Sequence, residues 1–286
     1  MFNRKGIILA GGTGSRLYPS TISISKQIIP IYDKPMIYYP LSTLMLSGIK
    51  DILIISNPND ITSFQKLLND GSRFGINIKY EVQESPNGIA EAFIIGKDFI
   101  DNHPSCLILG DNIFHGANLS KLLKKAARDE DNSTIFLYHV ADPERFGIAE
   151  IDEQNNLQSI TEKPTNPISN YAITGLYYYD AHATSFAEKL TPSIRGELEI
   201  TDINNMYLKN GNLNAIKLSQ GYSWHDTGTP ESLIEASNLI YTIEKRQGLK
   251  ICCPEEIALN QKWISREFLH SCIKNKNSYT DYLMRL

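Results

Sequence analysis

Gly6-Ile7-Ile8-Leu9-Ala10-Gly11-Gly12-Thr13-Gly14-Ser15-Arg16-Leu17 decides how this chain folds. Its apolar run is short and continuous rather than alternating, which is the pattern of a strand buried on both faces of a parallel sheet. The glycines that end it let backbone N–H groups approach an anion closely. In a parallel α/β sheet such a loop lies at the carboxyl end of its strand, where ligands gather. Two nucleotide-binding loops are excluded. A Walker A loop ends in Gly-Lys-Ser/Thr, whereas the order here is Gly14-Ser15-Arg16, and a dinucleotide fingerprint needs a third small residue where this chain has Leu17. A glycine turn alone serves structure as readily as chemistry. Arg16 follows it directly, however, and Lys26 comes ten residues later in Ser25-Lys26-Gln27. A guanidinium and an ammonium beside such a loop suit a polyphosphate, although each alone would read as a solvated surface charge.

Outward from this loop, the N-terminal half alternates strands with helices. Asp51–Ser56, Ser105–Leu109 and Thr134–Tyr138 repeat the buried-strand pattern. Asp60 precedes the amphipathic set Ile61, Phe64, Leu67 and Leu68, and Asn118 can cap Leu119, Leu122, Leu123, Ala126 and Ala127. From about Phe146 short strand-like runs (146–151, 157–161, 175–179) are separated by polar and proline-rich turns, which predicts antiparallel additions. Thr229-Pro230 opens a helix with Leu233, Ala236, Ile240 and Ile243 on one face. The expected fold is α/β: a Rossmann-like, mostly parallel sheet flanked by helices, with antiparallel additions and a C-terminal helical extension. The expected division is 1–248 for the α/β domain and 249–286 for an extension packed on it, with regulatory and oligomer contacts.

Composition narrows the function classes. Of 286 residues, 28 are Lys or Arg and 32 are Asp or Glu, a formal charge of −4. That balance argues against broad electrostatic binding of nucleic acid. No apolar run approaches the ~20 residues of a spanning helix, and the start is too short in apolar residues for a signal-peptide core. Cys106, Cys252, Cys253 and Cys272 form no C-x-x-C pair. A cytoplasmic protein with no membrane partner is expected.

Several motifs in order carry a family resemblance. Leu9-Ala10-Gly11-Gly12-x-Gly14-x-Arg16-Leu17 followed by Lys26-Gln27-x-x-Pro30 resembles the signature of sugar-phosphate nucleotidyltransferases. Tyr32-Asp33-Lys34-Pro35-Met36-Ile37-Tyr38-Tyr39-Pro40-Leu41 is similar to the branch that transfers thymidylyl groups. Gly110-Asp111-Asn112, Asp142–Gly147, Glu162-Lys163-Pro164, Arg195–Asp202, Trp224–Thr229 and Lys250–Glu256 continue the match to about residue 264. The resemblance implies transfer from dTTP to glucose 1-phosphate, giving dTDP-glucose for deoxysugar biosynthesis. The same chemistry with UTP or another sugar 1-phosphate, or a non-catalytic sugar-nucleotide sensor, are the alternatives. A homotetramer is also implied.

The resemblance assigns roles residue by residue. Gly11, Gly12, Thr13, Gly14, Ser15 and Arg16 would cradle the nucleotide, with Arg16, Lys26, Asp111 and Lys163 catalytic. Asp111 and Asp226 would hold Mg²⁺, which usually takes one or two carboxylates plus phosphate and water oxygens. Gln83 and Gly88 would meet the nucleobase, since a side-chain amide matches the donor–acceptor edge of a pyrimidine. Glu91 stands nearby where the family often has Gln. Glu162 would take sugar hydroxyls, and Lys163 and Arg195 the sugar phosphate. Asn112, Gly147, Ile173 and Tyr177 would flank the sugar, with core packing the plainer role for Ile173. His225, beside Asp226, is expected to be structural. Lys250, Cys252 and Glu256 would belong to a regulatory nucleotide site. Gln220, where an arginine is common, predicts weaker inhibition by a dTDP-sugar.

Overall fold

Ile7 and Ile8 leave opposite faces of their strand, and both are fully buried. A computed structural model describes residues 3–12, 14–154 and 156–286, so Thr13 of the expected nucleotide loop lies outside the described residues. Among the described residues the strands are, in chain order, β1 (Lys5–Leu9), the two-residue β2 (Pro30–Ile31) and β3 (Lys34–Pro35), β4 (Asp51–Ser56), β5 (Asn77–Val82) and β6 (Ser105–Leu109). They continue with β7 (Asn112–Gly116), β8 (Ser133–His139), β9 (Gly147–Ile151), β10 (Leu157–Glu162), β11 (Tyr171–Tyr179), β12 (Leu213–Lys217) and β13 (Tyr222–Asp226).

Nine of these strands form one sheet. β1 lies between β4 and β6, parallel to both, and β5 continues the parallel run beyond β4. β11 then enters antiparallel to β6 and, on its other side, antiparallel to β8, which carries β12 parallel to itself. The sheet is therefore mixed, with a parallel heart and antiparallel additions. Ile8, Ile52, Ile54, Cys106 and Ile108 pack on one face against helices Tyr38–Leu46 and Leu119–Arg128. Ile7, Leu53, Ile55 and Leu107 pack on the other against Phe93 and helix Ile200–Lys209. Burying each such side chain contributes about 1.5–3 kcal/mol, which is why these strands read as unbroken apolar runs. After Gly248, which ends helix Pro230–Gln247 in the left-handed region (φ 69°), the chain adds three short helices. Ile257, Ala258, Leu269, Tyr282 and Leu283 from them join the first of those faces.

Two local expectations change. Asp60 and Asn118 occupy N-cap positions, but neither side chain accepts a capping bond. Asn57 engages Asp60 instead, donating from Nδ2 to its carboxylate at 2.7 Å, while Asn118 turns the chain at φ 60°. Thr229 does cap as expected, in a reciprocal box with Ser232. The larger departure concerns Trp224-His225-Asp226, which is not among the strand-like runs read from the sequence. It forms β13, paired antiparallel with β7 in a separate two-stranded ladder. The partner lies more than 100 residues away, so no local periodicity announces it.

Candidate active site

Three chain segments meet where β1 and β6 end. Ala10 N–H donates to Ile55 O at 2.7 Å and Gly110 N–H to Leu9 O at 2.8 Å, which carries the glycine loop and Asp111 off the same sheet edge. Gly12 turns at φ 95° with open space where a Cβ would point. Gly14 accepts from Thr21 Oγ1 at 2.9 Å, and Ser15 opens the short helical turn that presents Arg16. The Arg16 guanidinium packs on Gly228, where an added Cβ would come within 2.6 Å of Nη2.

Asp111 and Asp226 arrive from distant sequence and stand side by side. Asp226 is opposite Asn112 in the β7–β13 ladder, and Thr227 then donates to Asp111 O from its N–H at 3.1 Å and from Oγ1 at 2.7 Å. Burial pushes the Asp111 carboxyl up, but the charge and hydrogen bond of Lys26, with a bond from Asn112, hold it below the usual range. Asp226 is shifted the other way. Burial raises it, Arg145 at 3.2 Å and Arg16 pull down, and the like charge of Asp111 pushes up, so it stays above the ordinary carboxylate value. Among the described residues no three His, Cys, Asp or Glu side chains converge. Two neighbouring carboxylates at the edge of a cavity fit a hard divalent ion whose other positions come from phosphate and water.

A cavity of about 580 Å³ opens from this pair and is lined by Arg16, Asp111, Asn112, Gly147, Glu162, Lys163, Ile173, Tyr177, Arg195 and Asp226. Its floor depends on close approach. A Cβ on Gly175 would come within 2.7 Å of both Asn112 Oδ1 and Leu109, so β11 can pass the end of β6 only with glycine there. Asn112 is largely committed: Oδ1 accepts from Gly175 N–H at 3.0 Å and Trp224 Nε1 at 2.6 Å, and Nδ2 donates to Asp111 at 3.0 Å. Glu162 ends β10 and accepts from Thr201 Oγ1 at 2.5 Å. Lys163 follows at φ 40°, a conformation few lysines adopt, and lies 3.7 Å from Glu162. Arg195 is held by Glu199 at 2.9 Å and Glu197 at 3.0 Å. Burial keeps the Tyr177 hydroxyl protonated, and the charge of Glu162 adds to that.

A smaller hollow of about 200 Å³ adjoins it, lined by Gly11, Gly12, Lys26, Gln83, Gly88 and also Asp111. Gly88 takes φ 115° because the loop presses on Leu198, whose carbonyl would lie 2.4 Å from any Cβ. Of the described catalytic and substrate candidates, all but Gly14 and Ser15 thus line one or other of these two spaces, which share Asp111. Of the regulatory candidates, Lys250 lines a separate hollow of about 350 Å³ together with Tyr282. Lys250 pairs with Asp33 and Glu244, Glu256 accepts from Tyr282 at 2.8 Å, and burial pushes the Cys252 thiol up to about 12. His225 accepts or donates to Ser223 at 2.8 Å, and burial lowers its pKa. Arg145, Glu199 and Thr201 hold Asp226, Arg195 and Glu162, yet sequence reasoning assigned them no role. Their only signal was membership of the quoted runs.

A glycine loop with flanking cations, a carboxylate pair and a cavity wall that carries Lys163 and Arg195, all at one edge of a mixed α/β sheet, suit a nucleotide-handling transferase. The family model for nucleotidyl transferases matches residues 5–242, and the chain belongs to that family. It is 56% identical over 288 aligned residues to a glucose-1-phosphate thymidylyltransferase of Xanthomonas campestris, covering 100% of this chain and 98% of that one. A Neisseria meningitidis protein of the same name is 55% identical, with 99% of both chains covered. Among solved structures, a Bacillus anthracis protein assigned the same activity superposes with a TM-score of 0.77 at 43% identity, over 82% of this chain and 94% of that one.

Proposed function

We propose that this chain transfers the thymidylyl group of dTTP to α-D-glucose 1-phosphate, giving dTDP-glucose and pyrophosphate. The meeting of a base-sized hollow and a sugar-phosphate-sized cavity at Asp111 carries the proposal. A phosphate oxygen of the sugar phosphate, already ionised at neutral pH, attacks the α-phosphorus in line. The new P–O bond forms as the bond to the bridging oxygen breaks, and pyrophosphate leaves. No general base is required. Lys163 and Arg195 position the attacking phosphate, for which Arg195 exchanges Glu197 and Glu199. Arg16 and Lys26 offset charge on the departing pyrophosphate, while Gln83 and Gly88 take the base and Glu162 a sugar hydroxyl. Mg²⁺ held by Asp111 and Asp226 would supply charge neutralisation on the nucleotide phosphates. Catalysis is then positioning plus electrostatics, without a covalent enzyme intermediate.

The test is pyrophosphate release with Mg²⁺ across dTTP, UTP, CTP, ATP and GTP, each against glucose, galactose, mannose and N-acetylglucosamine 1-phosphates. Preference for dTTP with glucose 1-phosphate is expected. Preference for UTP or an amino sugar would overturn the specificity and keep the chemistry. Nucleotide binding without turnover on any pair would favour a sensor. Assembly as a homotetramer is proposed with this activity, and light scattering of the purified protein checks it.

A further inference from the structure

Gln83 is buried, and its amide is held in one orientation. Its backbone N–H donates to Ser56 O at 2.8 Å, which fixes the residue just past β5. Its Nε2 donates to Glu91 Oε2 at 2.7 Å and points a longer contact, 3.4 Å, at Gly88 O. The other oxygen of Glu91 accepts from Asn87 Nδ2 at 2.8 Å, so the carboxylate is itself tethered. An ionised carboxylate can only accept, so the nitrogen end of the amide must face Glu91. Oε1 is thereby turned to the glycine loop, where a Cβ on Gly11 would lie 2.7 Å from it. The wall of the smaller hollow therefore offers an acceptor at Gln83, and Glu91 makes it so.

We propose that Glu91 is a specificity-determining positioning residue that locks the Gln83 amide with its oxygen toward the nucleobase. Such a wall accepts bases that carry a ring N–H on the pairing edge, as thymine and uracil do. It rejects cytosine, whose ring nitrogen at that place is an acceptor and would face another acceptor unpaired. The proposal rests on Gln83 being the base contact. In this chain the neighbour of position 91 is Asn87, which can itself donate or accept, so a glutamine at 91 would be fixed by neither partner and would let the Gln83 amide turn over.

The experiment measures kcat/KM for dTTP and dCTP, each with glucose 1-phosphate, in the unaltered protein, Glu91→Gln, Asn87→Ala and Gln83→Ala. Glu91→Gln is expected to lower the dTTP-to-dCTP ratio at least ~10-fold, through a higher KM for dTTP and a lower one for dCTP. A merely structural fault would move both nucleotides the same way. Asn87→Ala, which frees Glu91, is expected to shift the ratio in the same direction by less, and decides the matter if Glu91→Gln does not fold. A ratio unchanged in these two variants but collapsed in Gln83→Ala overturns the role of Glu91 and leaves the base site standing. A ratio unchanged in all three overturns the base assignment, and the proposal with it.

Discussion

Arg16 and the two aspartates show how single side chains divide between chemistry and stability. Arg16 rests on Gly228 with its charge open to the cavity, so its removal costs the fold little and the reaction much. Arg16→Ala is expected to lower kcat at least ~100-fold, the scale of losing a preorganised charge donor, and a loss below ~10-fold in a turnover assay would contradict its role. Asp226 binds its proton more readily in the folded chain than in the unfolded one, because burial and neighbouring Asp111 raise its pKa. Its charge therefore destabilises the ligand-free fold at neutral pH, and that cost fades as pH falls through the raised value. Asp111 has the opposite sign. Its lowered pKa contributes stability above the unfolded value, lost as pH falls through the folded one. Thermal melts should accordingly show Asp226→Asn melting higher than the unaltered protein at neutral pH, with the gain shrinking near pH ~4. Asp111→Asn should melt lower, by the equivalent of about 1–3 kcal/mol, since it leaves Lys26 without its partner. Both substitutions should lower turnover. A neutral or destabilised Asp226→Asn would show that Arg145 outweighs burial at that site.

At the scale of elements, β11 sets the shape of the cavity. Its pairing slips in register between Ile173 and Tyr177, around the glycine that clears Asn112 and Leu109. Gly175→Ala is expected to cost about 1–3 kcal/mol as an overpacked contact. Because Asn112 links that backbone to Asp111 and Trp224, the variant should also raise the KM for glucose 1-phosphate; steady-state kinetics beside a melt would separate the two effects. Elements buried on both faces were legible because their neighbours demand an unbroken apolar run, and β1, β4, β6 and β8 emerge within a residue or so of the expected bounds. Helix Pro230–Gln247 was legible from Thr229 and Pro230, which announce its start chemically. β7 and β13 were not, because each is made a strand only by the other. The same holds for the site. Arg16 adjoins a glycine turn and Asp111 a strand end, which makes both legible as candidates, while their roles and that of Lys26 are what the family resemblance implies. The adjacency of Asp111 and Asp226 depends on the ladder that sequence patterning could not supply, and the tethers from Arg145 and Thr201 depend on tertiary contact alone, whereas those from Glu199 to Arg195 and from Glu91 to Gln83 are local in the chain.

The larger cavity borrows Ile173, Tyr177, Ile200 and Trp224 from the cores, but the carboxylate pair at its edge belongs to none of them. Both faces of the main sheet are packed by apolar side chains, and a third cluster lies beneath helix Pro230–Gln247. None of these depends on the carboxylate pair, so metal removal and unfolding should be separable. EDTA is expected to abolish pyrophosphate release, reversibly on adding excess Mg²⁺, while leaving the melting temperature of the ligand-free protein unchanged. A ligand that spans both spaces acts differently. The thymine end of dTDP-glucose would reach the hollow at Gln83 and its sugar the cavity at Glu162, linking segments from both halves of the chain across Asp111. At one hundred times its Kd such a ligand adds about 2.7 kcal/mol to stability. In a chain of this length that amounts to several degrees of melting temperature, since each kcal/mol is worth about 2 °C. Glucose 1-phosphate alone, filling one space, should bind more weakly and shift the melt less at equal concentration. Equal shifts from the two would mean that the hollow at Gln83 contributes nothing to binding, and the nucleotide would have to sit elsewhere.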